Sequence, residues 1–148
     1  MGQLVAEGAQ SSALRDFGQR MVKDHTKANQ ELIKIATSKG MAVPNQPDNE
    51  HEKMLTDLAK LKGAEFEKMA KHQAVMDHQD AVRLFENASQ TLQDGELKAF
   101  AQKTLPTLKE HLELAKGLEG GVTTSSESST SSHSSTSTQQ QGTASEQK

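Results

Sequence analysis

Three acid–histidine steps stand out in the sequence: Asp24-His25, Asp77-His78 and Glu110-His111. Imidazole and carboxylate together can ligate a metal ion, form a buried hydrogen-bonded pair, or move a proton between them. Which of these applies depends on where each side chain points. The residues around the steps must therefore be assigned to elements first.

The surroundings read as helix. Ala, Leu, Met, Glu, Lys and Gln dominate, and strand-forming residues are sparse outside the C-terminal stretch, a bias toward α over β. Residues 3 to 9 read as the end of a helix. Ser11 or Ser12 opens a second helix running to about Lys39, with Gly40 in the left-handed position after its last turn. Pro44 and Pro47 mark a loop, and Pro47 suits the first position of a short helix that carries Leu55, Leu58 and Leu61. A fourth helix spans Ala64 to about Ser89. Asp94 caps the last, from Gly95 to about Leu118, in which Pro106 removes an amide donor and predicts a kink.

Side chains turn by ~100° per residue around a helix. The apolar stripe of the second helix is Leu14, Phe17, Met21, Ala28, Leu32 and Ile35, and Asp24 and His25 straddle it. In the fourth, Phe66, Ala70, Ala74, Ala81, Phe85 and Ala88 form the stripe, with Asp77 near its centre and His78 on its shoulder. In the last, His111 falls among Leu97, Phe100, Ala101, Leu108, Leu112 and Ala115, while Glu110 points away.

Asp24, His25, Asp77, His78 and His111 are thus expected to converge inside a helical bundle. Buried without partners they would cost several kcal/mol each, so they must be paired, hydrated or bound. A hydrogen-bonded His–Asp layer that sets helix register is one reading. A site for one divalent metal ion, Zn, Mn or Fe, is the other. Acid–base catalysis is third, since no nucleophile or phosphate-binding loop accompanies the group and no catalytic residue is assigned. The remaining histidines carry less. His51 and His72 fall at surface or boundary positions, and His133 stands alone. Met21, Met54, Met69 and Met76 read as core filling rather than copper ligands.

The composition sets further bounds. The chain of 148 residues suffices for one domain and carries a net charge of −3 with no Lys/Arg run, which argues against nucleic acid. It has no cysteine, so disulfides and thiolate ligands are excluded. No apolar run reaches the ~20 residues needed to span a bilayer, and Met1-Gly-Gln-Leu-Val is no signal peptide. Two regions are expected: a bundle over 1–119 and a Ser/Thr/Gln-rich, disordered tail over 120–148.

The stretches FGQRMVKDHTKANQEL, GAEFEKMAKHQAVMDHQDAVRLFE and LKAFAQKTLPTLKEHLELAKGL together resemble a bacterial family of ferritin-like helical proteins. Its members are described as a domain of unknown function or as outer membrane proteins. The resemblance covers residues 2 to about 119. It implies an all-α, ferritin-like antiparallel bundle of four main helices, the first truncated, plus one short helix. It also implies secretion, hence a periplasmic or extracellular setting. Asp24, His25, Asp77, His78, Pro106 and His111 match its pattern. The first helix here is shorter than in relatives, which would leave an open face for a second copy of the chain to cover. Ala70 replaces a residue often aromatic in relatives. Di-iron bundles use Glu-x-x-His, but Val22, Val75 and Leu108 precede His25, His78 and His111 by three. A ferroxidase-type centre is not expected. The expected function is that of an exported, non-enzymatic bundle protein with a role in the envelope or in stress. A mononuclear metal-binding or metal-storage protein is the alternative.

Overall fold

The structure, a computed structural model, describes residues 1–44 and 46–121. These form five helices: α1 (Gly2–Gly8), α2 (Ser12–Ser38), α3 (Asn49–Lys60), α4 (Gly63–Thr91) and α5 (Gly95–Glu119). The helical order and bounds follow the periodicity closely, and the chain is an all-α bundle. The expected disordered tail lies outside the described residues. No described helix is long and apolar enough to cross a membrane.

The helices pack as two antiparallel hairpins. α4 and α5 make the most extensive pairing, α1 folds back on α2, α2 packs on α5, and α3 lies against α4. Val5, Leu14, Phe17, Met21, Leu58, Phe66, Ala70 and Ala115 share one core. Leu14 and Ala70 have no exposed surface, so small and large residues alternate without leaving Ala70 at the solvent.

Local chemistry differs from the expected in three places. Pro47 does not open α3. Asp48 is the cap, its carboxylate accepting from the amides of Glu50 and His51. At the start of α2 the Ser11 hydroxyl is buried and unbonded. Instead, the amides of Gln10 and Ser11 donate to the Glu67 carboxylate of α4 at 2.9 and 2.6 Å, which ties the two hairpins together. The Ser11 amide bond is the largest cause holding the Glu67 carboxyl below its ordinary range. Finally, Met69 and Met76 are 45% and 41% exposed, while Met21 is buried. α3 packs only lightly on α4, and those positions are left to solvent. Pro106 lies on the exposed side of α5, which runs through it without a break.

The α1–α2 contact depends on one missing side chain. A Cβ at Gly18 would stand 2.5 Å from the Ala6 amide nitrogen and 3.0 Å from the Gly2 carbonyl oxygen. Both are backbone atoms, so α1 would have to lift away. Gly18→Ala should cost about 1–3 kcal/mol. Gly95→Ala, whose Cβ would meet nothing within 4 Å, should be neutral or slightly stabilising. Thermal melts of the two variants compare them directly. Equal melting temperatures would refute the close approach.

Candidate metal centre

α2, α4 and α5 each contribute one imidazole to a common point. The ring centroids of His25 and His78 are 5.6 Å apart, those of His25 and His111 5.4 Å, and those of His78 and His111 5.5 Å. One ring nitrogen from each lies within 4.8 Å of the other two. His78 and His111 are buried, at 6% and 1% exposure, and His25 is half-buried. Phe17 closes one side with its ring edge-on to His78 at 6.2 Å.

The hydrogen bonds of the two buried rings determine their tautomers. The Nδ1 of His78 lies 2.7 Å from the Ala74 carbonyl oxygen one turn earlier. A carbonyl only accepts, so Nδ1 carries the proton and Nε2 holds the lone pair. The Nε2 of His111 lies 2.9 Å from Asp24 Oδ2. The carboxylate accepts, so Nε2 carries a proton, and in the neutral ring Nδ1 has the lone pair to offer. His78 Nε2 and His111 Nδ1 are both buried and have no hydrogen-bond partner.

Burial disfavours charge on two of the imidazoles, His25 and His78. Burial, followed by the neighbouring rings of His78 and His111, pushes the His25 pKa down to about 4. Burial likewise lowers that of His78. Asp24 behaves oppositely. Burial alone would raise its carboxyl, but hydrogen bonds and charge from His111 and Arg20 outweigh this and hold it below the ordinary carboxylate range. Arg20 stands one turn before Asp24, 3.4 Å from its carboxylate, and pairs at 2.8 Å with Glu110. A chain of contacts thus runs from the buried His111 through Asp24 and Arg20 to the exposed Glu110.

The structure brings together three of the five residues singled out by spacing, His25, His78 and His111, with Asp24 behind His111. Asp77 is not among the gathered atoms. Its carboxylate accepts from Gln73 on its own helix at 2.7 Å and borders a neighbouring cavity. Arg20 was not apparent from the stripe pattern, although its i, i+4 relation to Asp24 was a usable signal. Outside the cluster, His51 pairs with Asp48 and His72 with Glu119, both at the surface.

A search among curated proteins and a search among solved structures each found no match. A family model described as a domain of unknown function (DUF4142) matches residues 1–118, which is the whole helical region but for Glu119. The chain belongs to the DUF4142 family.

Proposed function

We propose that the protein binds one divalent transition-metal ion through His25, His78 and His111. Asp24 and the Ala74 carbonyl act behind the ligands, each fixing the tautomer and orientation of one ring. The observation that carries this reading is the pair of buried, unbonded ring nitrogens, His78 Nε2 and His111 Nδ1. A layer serving only helix register would be expected to satisfy its polar atoms internally, because each one left bare in the interior is costly. Here the outer nitrogens are bonded and the others are not, which is the pattern of an oriented ligand set.

The donor set narrows the ion. Three neutral imidazoles without thiolate suit Zn, Fe(II), Co, Ni or Cu(II), while Mn prefers more oxygen than is gathered here. An ion about 2.0–2.1 Å from each nitrogen would space tetrahedral ligands about 3.3 Å apart. One ring nitrogen from each lies within 4.8 Å of the others, so the rings would draw together on binding. The centre differs from carboxylate-rich di-iron bundles in having no acid three residues before any of the histidines. The function proposed is binding, and no residue is assigned a catalytic role.

Equilibrium dialysis of untagged protein against Zn(II), followed by elemental analysis, tests the reading. One ion per chain with a dissociation constant below about 10 μM, roughly −7 kcal/mol, is expected. No uptake at that concentration would refute it.

A further inference from the structure

A cavity of about 490 Å³ opens beside the histidines, between α1, α2 and α4, with His51 of α3 also on its lining. His25 and His78 line it, and so do Thr26 and Asn29 of α2 and Asp77 and Ala81 of α4. His111 does not. Its ring is held from the other side by Asp24. The three imidazoles would approach a bound ion from α2, α4 and α5, with the cavity lying beside two of them.

Two shortfalls meet on that side. Three protein ligands leave an ion that prefers four or more with a position to fill. Three neutral ligands also leave its two positive charges in a largely buried place, where uncompensated charge is expensive. The nearest carboxylate, Asp24, is already shared between His111 and Arg20. Asp77 borders the cavity, but Gln73 holds its carboxylate, and it is not among the atoms that gather within 4.8 Å.

We infer that the metal centre is open: it takes a small anion from solution at a coordination position facing this cavity. This rests on the metal-binding reading and adds an exchangeable site to it.

Cobalt(II) is the probe for the ion, because its visible absorption reports its ligands, and azide is the probe for the anion. Full-length protein loaded with Co(II) should show a saturable spectral change with azide, one per ion. Ala81→Leu on the α4 wall and Thr26→Leu on the α2 wall narrow the cavity without touching a ligand. At least one of them should weaken azide binding by about tenfold or more while Co(II) uptake is retained. If Co(II) binds and azide leaves the spectrum unchanged, the centre is closed, and this inference fails while the metal reading stands. If azide binds equally well to wild type and both variants, the route through the cavity is refuted. If Co(II) is not taken up, both readings are overturned.

Discussion

His78→Ala and His111→Ala should each weaken Zn(II) binding by more than about 100-fold, whereas Asp24→Asn should weaken it by roughly 10- to 100-fold. The ranking follows from what each residue does. Removing either buried imidazole takes away one of three ligands, and a two-histidine site holds a borderline ion poorly. Asp24 touches the ion only through His111. Asparagine can still accept from His111 Nε2, so the tautomer survives while the charge that raises ligand basicity is lost. Competition with a chromophoric chelator gives the affinities. Circular dichroism of the metal-free variants checks that the helices persist, which matters because His111 is 1% exposed and its removal leaves a hole in the core. If folded variants of both histidines bound Zn(II) as wild type does, the assignment of ligands would be wrong. If Asp24→Asn weakened binding as severely as His111→Ala, Asp24 would belong to the ligand set itself.

The second large effect is on acid stability. Metal-free protein should hold its melting temperature from pH 8 to about 6.5 and then lose about 5–10 °C by pH 4.5. The sign follows from the lowered values of two histidines. In the unfolded chain an imidazole takes up its proton near 6.5, but folded His25 does so only near 4, and His78 shifts in the same direction. Between those limits the unfolded state binds more protons, so stability falls as pH falls. Above the unfolded value both states of these rings are neutral, so the rings add no slope there. Allowing for its partial exposure, His25 accounts for about 2 kcal/mol, and His78 acts in the same direction. Asp24 adds to the loss only at lower pH, since its depressed carboxyl contributes stability that disappears as it protonates. His51, raised by its bond to Asp48, works in the opposite sense, but it is exposed and its effect is screened. Melts in the presence of a chelator, repeated with His25→Ala, measure the slope, and the variant should flatten it. A level profile from pH 8 to 4.5 in wild type would mean that the imidazoles are not held neutral by burial.

Much of this architecture was legible in the residues. Asp94, Gly40 and the apolar spacing of Leu14, Phe17 and Met21 mark their helices through local rules, since capping and periodicity depend on neighbours a turn or less away. Rotation about each helix likewise separated His111 from Glu110. It also directed His25 and His78 inward, and left His51 and His72 at the surface. The expected core role of Met69 and Met76 failed for a non-local reason. A helical stripe shows which side is apolar, but whether a second side is covered depends on which helix lies there, and α3 covers only part of α4.

The same limit explains the candidate site. In the sequence Asp77 has at least as strong a claim as Asp24: each precedes a histidine, and Asp77 lies nearer the centre of its apolar stripe. Only the packing of α2 on α5 places His111 against Asp24, while the donor that reaches Asp77 is Gln73 from its own helix. Local periodicity sets the direction of a side chain to within tens of degrees, and that was enough to predict that the three imidazoles would converge, but not that Asp24 would join them and Asp77 would not. A hydrogen bond needs positions within a few tenths of an ångström across helices whose relative placement is set by the whole core. The tautomers of His78 and His111, their unbonded nitrogens and the cavity beside them were therefore decided by tertiary structure alone.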